Sequence, residues 1–272
     1  MRIVLAAAAV VAASPAVADV ARGAYLVETV MGCGNCHTPL GPDGFVQEAA
    51  LSGRVVEDLD VFTAIAPNIT PAGRISEWSD EELARAIREG IRPDGSLIGP
   101  PMPFFAYRSI SDDDLASIVA YIRTVPAVEN DPGTSEYRIP LPPAYGEPLA
   151  DVTAPEPGVT VEYGEYLVAI AHCMECHSPN TPTGPDWGDG FARGGFEFHG
   201  PWGVSVSPNL TNSSDGLADY SDADIIGMLA GTRPDGSPML PPMPYPFLAA
   251  MSDDDKAAIV MYLRTIPGQP DI

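Results

Sequence analysis

RGAYLVETVMGCGNCHTP at residues 22–39 returns as YGEYLVAIAHCMECHSP at residues 163–179, and this pair of stretches decides the architecture. Working outward, APNIT (66–70) returns as SPNLT (207–211), WSDEEL (78–83) as YSDADI (220–225), and RPDGS (92–96) as RPDGS (233–237). PPMPFF (100–105) answers PPMPYP (241–246), and SDDDLASIVAYIRTVP (111–126) answers SDDDKAAIVMYLRTIP (252–267). The offset is 140 or 141 residues, rising to 142 at Trp78/Tyr220, so the order is kept along the chain. Such a two-fold repeat reads as tandem copies of one folding unit.

The 272 residues hold 37 acidic and 14 basic side chains, 45% apolar residues, 30 Pro and 26 Gly. The apolar fraction is enough for packed cores and argues against an acidic disordered chain. A pI near 4.2 leaves a nucleic-acid role without an electrostatic basis, because phosphate binding needs clustered Lys and Arg. Arg2 followed by the apolar run 3–13 and Ala16-Val17-Ala18 reads as a cleaved export signal over residues 1–18. That run is about half the length that crosses a bilayer, so no transmembrane segment is expected in the mature chain. Cleavage would leave 13 basic and 37 acidic groups, a formal charge of −24.

Each copy reads as three main helices with long loops, and no strand-rich domain is expected. The first helix starts near Ala21 or Tyr163 and runs to the cysteine pair. The second follows Ser79 or Ser221, with Ser79 and Glu82 spaced as a capping box. The third follows Ser111 or Ser252, where Asp114 and Asp255 repeat that spacing. Its apolar stripe is Leu115, Ile118, Val119 and Ile122 in the first copy, and Ala257, Val260, Met261 and Leu263 in the second. Pro126 and Pro267 close it. Residues 127–158, rich in Pro and acidic groups, read as an extended connector lying across both copies. The expected organisation is a signal (1–18), a first domain (19–126), the connector (127–158) and a second domain (159–272).

The four cysteines form two Cys-x-x-Cys-His motifs, Cys33/Cys36/His37 and Cys173/Cys176/His177. Each reads as a c-type haem attachment. Two thiols three residues apart at a helix end can each add to one vinyl group, and the adjoining imidazole then lies under the iron. A thioredoxin-like site needs no following His, and a zinc site would have to pool motifs 140 residues apart. Two covalently bound haem c groups are therefore expected, and they would supply much of each small core.

The carbonyls of Pro39 and Pro179 are candidate acceptors for the proximal Nδ1–H groups. The sixth ligand is assigned to Met102 and Met243, which lie 65 and 66 residues beyond His37 and His177 in matched Pro-Pro-Met-Pro segments. A thioether is soft and neutral and raises the reduction potential. Met239 competes in the second copy, but its counterpart is Ile98. His172 stands on the proximal side, and His199 lies in a glycine-rich insertion as an ordinary loop residue, a distal ligand of an alternate state or a propionate contact. Tyr25 and Tyr166 are expected to meet Tyr121 and Tyr262, closing each domain. Asn68 and Asn209 are expected to secure a loop, and Arg54, Arg92 and Arg233 are candidate propionate partners.

The pattern borne by Arg22–Val27, Cys33–Pro39, Pro67–Thr70, Trp78–Asp80, Gly90–Gly95, Pro101–Pro103 and Ser111–Asp114, then by the second copy, resembles the cytochrome c subunits that accompany membrane-associated alcohol, aldehyde and sugar-acid dehydrogenases. The resemblance implies an all-α tandem of two class I cytochrome c domains, each wrapped round a covalent haem. It also implies electron transfer from a quinoprotein, flavin or molybdenum dehydrogenase towards quinone, a cytochrome or a terminal oxidase. Many such proteins have three haem domains where this chain has two, which points to a periplasmic shuttle or subunit that is soluble or held peripherally by a partner. The chain is thus read as an electron-transfer protein or subunit and not as an enzyme by itself. The alternative is a catalytic dihaem cytochrome, a peroxidase or a sulfur-compound oxidoreductase, which would need a displaceable distal ligand or an axial cysteine.

Overall fold

The computed structural model describes residues 18–181 and 184–272. The export signal read at 1–18 lies, apart from its last residue, outside the described residues. Among them the first half carries α1 (Val20–Tyr25), α2 (Gly34–His37), α3 (Asp80–Glu89), α4 (Phe104–Tyr107) and α5 (Asp112–Ile122). The second half repeats them as α6 (Val161–Ile170), α7 (Cys173–Cys176), α8 (Asp222–Leu229), α9 (Tyr245–Leu248) and α10 (Asp253–Leu263). None of these helices is long and apolar enough to cross a membrane.

The helix starts follow from their caps. Ser79 Oγ accepts from the Glu82 N–H, and the Glu82 carboxylate accepts from the Ser79 N–H, a complete capping box. Ser221 and Asp224 form the same box on α8. On α5 and α10 the serine caps Asp114 N–H and Asp255 N–H, but those carboxylates turn to other partners. Leu115, Ile118, Val119 and Ile122 are all buried, as their spacing requires. The second stripe is shifted from the expected one: Ile259, Val260 and Leu263 are buried, whereas Met261 is exposed. Lys256 occupies the place of Leu115 and buries its stem while its ammonium donates to the Ala249 carbonyl.

The all-α expectation is corrected, among the described residues, by nine short strands in four antiparallel sheets. β1 (Leu40–Gly41) pairs with β2 (Gly44–Phe45), and β6 (Asn180–Thr181) with β7 (Gly184–Pro185). β3 (Arg54–Leu59) and β4 (Phe62–Ala66) form a hairpin that β5 (Glu136–Tyr137) extends on the β4 edge. β8 (Glu197–Gly200) and β9 (Gly203–Val206) form the matching hairpin as a two-stranded sheet. The molecule is thus a mixed fold in which helices build the core and small sheets shape the loops. Val55, Val56, Val61, Phe62, Thr63 and Ile65 carried the strand signal, since β-branched and aromatic side chains suit a pleated, half-buried surface.

The first and last helices of each half cross at glycine. A side chain on Gly23 would collide with the Ser117 carbonyl of α5, and one on Gly164 with the Ala258 carbonyl of α10. The tyrosines expected to close each domain instead join the two halves. Tyr25 OH donates to Asp255 (2.6 Å) and accepts from the Ser252 N–H. Reciprocally, Tyr166 OH donates to Asp114 (2.7 Å) and accepts from the Ser111 N–H. The first helix of each half therefore seats a hydroxyl at the N-terminus of the other half's last helix. Asp114 also takes a bidentate pair from Arg22, with both contacts at 2.9 Å.

Tyr166→Phe removes a hydrogen bond to a buried carboxylate and is expected to cost about 2 kcal/mol. Denaturant unfolding of the full chain checks this, and an unchanged midpoint would refute it.

The connector does not lie evenly across both halves: apart from local bonds such as Thr160 N–H to the Gly158 carbonyl, its hydrogen bonds among the described residues reach the first. Asn130 Nδ2 donates to the Ser52 and Gly53 carbonyls, and Tyr137 OH to that of Pro100. Tyr145 OH donates to the Ile98 carbonyl, and the Asp112 N–H donates to the Val152 carbonyl.

Candidate functional site

The chain reaches each cysteine motif through a left-handed residue. Gly32 (φ 55°) follows the π-helical continuation of α1 over Leu26–Val30, and His172 (φ 48°) stands in the same place after α6. Positive φ suits glycine, which lacks a Cβ, and histidine tolerates it better than branched residues do. The following single turn brings each cysteine pair and its histidine together. His37 N–H donates to the Cys33 carbonyl and His177 N–H to that of Cys173, both at 3.0 Å.

Both histidines are buried, each 6% exposed. His37 Nδ1 lies 2.8 Å from the Pro67 carbonyl and His177 Nδ1 lies 2.9 Å from that of Pro208. Burial lowers both pKa values, so the rings are neutral, with Nδ1–H as donor and the Nε2 lone pair left as a base. The expected acceptors, Pro39 and Pro179, are already engaged. Their carbonyls accept from Val46 N–H and Asp186 N–H to close the small hairpins after each motif.

The Pro-Asn-x-Thr loops that supply the true acceptors are pinned by buried asparagines. Asn68 Nδ2 donates to the Val128 and Asn130 carbonyls, and its Oδ1 accepts from the Thr70 N–H and hydroxyl. Asn209 does the same with the Gln269 carbonyl, Asp271 and the Thr211 N–H. Both therefore secure a loop, as expected. That Pro67 and Pro208 themselves mattered was signalled by their matched places in the repeat.

The four cysteines are free of disulfides. Burial pushes the thiols of Cys33, Cys173 and Cys176 up to about 12, and that of Cys36 up as well. A thiol-redox site needs the opposite, a pKa lowered towards neutrality. No three His, Cys, Asp or Glu converge as a metal-holding group among the described residues, so the motifs do not pool ligands as a zinc site would.

Met102 and Met243 are half-buried against the same apolar core as Cys33 and Cys173. Met239 occupies the place of Ile98, since their N–H groups donate to the equivalent Gly231 and Gly90 carbonyls. His199 stands on β8 with a side chain 71% exposed, 3.6 Å from Glu197, remote in character from the buried ligand histidines. His172 meets the ring of Tyr107 edge-on at 6.2 Å, and Phe247 of α9 lies against Gly32 and Gly34. Each cysteine turn is therefore touched by the other half.

Of the candidate propionate partners, Arg92 and Arg233 donate to the Leu97 and Pro238 carbonyls of their own loops. Arg54 differs. Its Nη2 donates to the Asn35 carbonyl inside the first motif, while its Nε is buried without a hydrogen-bond partner. A half-buried guanidinium with one buried, spare N–H beside Cys36 and His37 suits a ligand bearing a carboxylate. Two thiols, a neutral imidazole and an apolar wall with a thioether therefore fit a haem at each motif.

Residues 18–122 match the family model of cytochrome c oxidase, cbb3-type, subunit III, and residues 161–267 match that of cytochrome c. The chain is 31% identical over 275 residues to the fructose dehydrogenase cytochrome subunit of Gluconobacter japonicus, across 93% of this chain and 54% of that protein. It is 29% identical to the cytochrome c subunit of the quinone alcohol dehydrogenase of Gluconobacter oxydans, across 92% of this chain and 55% of that subunit. It is 28% identical to a dihaem c-type cytochrome of Cereibacter sphaeroides, across 87% of this chain and 82% of that one. The chain thus spans about half the length of the two dehydrogenase subunits.

Proposed function

We propose that this chain, whose two halves match cytochrome c family models and which resembles the cytochrome c subunits of dehydrogenases, relays electrons from a periplasmic dehydrogenase to a cytochrome or terminal oxidase through two covalently held haem c groups. The observation that carries this reading is the repeated pairing of free cysteines with a buried neutral histidine whose Nδ1 is held by a main-chain carbonyl. A bound haem c would supply an iron that gains and loses one electron.

Cys33 and Cys36, and Cys173 and Cys176, tether the porphyrins. His37 and His177 present Nε2 as proximal ligand, oriented by the Pro67 and Pro208 carbonyls. Met102 and Met243, half-buried against the same core, would each offer a thioether sulfur as the second protein ligand. Arg54 receives a propionate at the first site. The two haem-bearing units are 19–126 and 159–272, joined by 127–158, and the export signal at 1–18 delivers the chain to the periplasm.

Haem content tests the reading: two haems per chain are expected from the absorbance of the pyridine derivative, with the weak far-red band of thioether-ligated ferric iron. Met243→Ala is expected to remove roughly half of that band, because one of two equivalent thioether bonds is lost. Full retention of the band would move the second ligand elsewhere, with Met239→Ala as the direct check.

A further inference from the structure

The two halves are copies, so a difference between equivalent surfaces carries information. The loops bearing Met102 and Met243 differ in what covers them. In the first half Gly99 is buried beneath the ring of Tyr137, where any side chain would collide with that ring. Tyr137 OH reaches the Pro100 carbonyl (2.7 Å), and the Tyr145 ring stacks on Phe104 at 4.8 Å. Phe104 is 1% exposed as a result. Both tyrosines belong to the connector, whose β5 also covers the β4 edge.

In the second half Leu240 stands in the place of Gly99 and is 48% exposed. Tyr245 replaces Phe104 and is half-buried. The Pro241 carbonyl accepts from Ser205 of its own hairpin (2.7 Å), and β9 has no third strand among the described residues. A tyrosine seated as Tyr137 is on Gly99 has no place here, because Leu240 carries the side chain that Gly99 must lack and Ser205 already holds the Pro241 carbonyl.

Exposed acids stand on the segments that flank this loop, the turn closed by the Thr232–Pro238 bridge and the β8–β9 hairpin whose Ser205 holds Pro241. Asp235 is exposed and fixed by the Ser237 N–H and hydroxyl, and Glu197 stands outward on β8. The nearby cation, Arg233, donates to the Pro238 carbonyl and offsets part of the Asp235 charge. Residues 159–272 carry 15 acidic against 4 basic groups. An apolar centre flanked by acidic segments is complementary to a protein face with an apolar centre and a Lys/Arg rim.

We propose that the Met239–Tyr245 face, centred on Leu240, is the docking site for a basic redox protein, while the matching face of the first half is closed by the connector. The inference rests on the electron-transfer reading above and adds a direction to it: partners exchange electrons at the second half.

The test uses the full, haem-loaded chain with a small, strongly basic mitochondrial cytochrome c as probe. Its affinity is read by titration calorimetry at low ionic strength and its reduction by stopped flow. Leu240→Lys and Asp235→Lys are each expected to weaken affinity at least fivefold and to slow reduction in step. Asp94→Lys, the same charge change at the equivalent turn of the first half, should alter affinity less than twofold. All three variants should keep the native spectrum and full reduction by ascorbate. Equal weakening by Asp94→Lys and Asp235→Lys would overturn the proposal, since net charge alone would then act. Unchanged affinity in Leu240→Lys would overturn it too, as would a native dimer that Leu240→Lys dissolves, which makes a second copy the occupant. If the native chain binds the probe at this face but never reduces it, docking stands and the electron-transfer reading falls.

Discussion

Changing Cys33 and Cys36 together to serine is expected to halve the covalently held haem per chain while the second site keeps its own. A quadruple variant that also changes Cys173 and Cys176 should show no haem-stained band after denaturing electrophoresis. Both thiols of a motif lie on one turn beside a buried imidazole, and none of the four is in a disulfide. Their burial raises the thiol pKa values, which disfavours thiolate exchange chemistry and leaves them available for the proposed addition to a vinyl group. The expected loss is all-or-none for each site. A double variant with full covalent haem would overturn the attachment, and loss of both haems would show that the second cannot be loaded without the first. Absorbance of the pyridine derivative, normalised to peptide, gives the count directly.

The second large effect is structural. Gly164→Ala is expected to lower stability by about 3 kcal/mol or more, because the new methyl group meets backbone that cannot swing aside. Ala258 carbonyl oxygen and carbon lie within contact of that Cβ, and the Tyr262 Cβ stands 3.0 Å away. The intrinsic gain of alanine over glycine in a helix, about 1 kcal/mol, offsets only part of this. For a chain of this size the loss corresponds to a Tm lower by roughly 6–12 °C. Gly23→Ala should behave alike through the Ser117 carbonyl, whereas Gly158→Ala, with open space around it, should melt with the native protein. If Gly164→Ala and Gly158→Ala melt together, the close crossing is not a constraint.

What could be read from the sequence was local or repeated. Ser79 with Glu82, and the Leu115–Ile122 stripe, are helical signals set within one or two turns, and both hold in the structure. The cysteine motifs are equally local. What escaped depends on contacts between segments far apart in the chain. The imidazole acceptor is Pro67, 30 residues beyond His37, and not the nearby Pro39, whose carbonyl the β1–β2 hairpin had taken. Tyr25 pairs with Asp255, 230 residues away, although a tyrosine stood ready in its own half. Two-residue strands such as β1 and β6 are too short for any alternation to register. The β3–β4 hairpin was long enough and rich enough in Val, Thr and Ile to be seen, so the all-α reading failed there by neglecting a visible signal. Lys256 in a core position hid the second stripe's register, because a long stem buries like an apolar side chain while its sequence letter reads as surface.

The reciprocal tyrosine seats have an evolutionary implication. Two identical subunits meeting about a two-fold axis must use the same residue on both sides, and any residue on the axis faces its own copy. Once such a pair is fused into one polypeptide, each side is free to change alone, and association no longer depends on concentration. Positions 22 and 163 are equivalent in the repeat, and they meet here. The Tyr163 hydroxyl lies beside the Arg22 guanidinium, whose charge lowers the tyrosine's pKa against the larger upward push of burial. Arginine against arginine at that spot would repel. An arginine against a tyrosine, with Asp114 bracing the cation, is a solution open to a duplicated gene and closed to a homodimer.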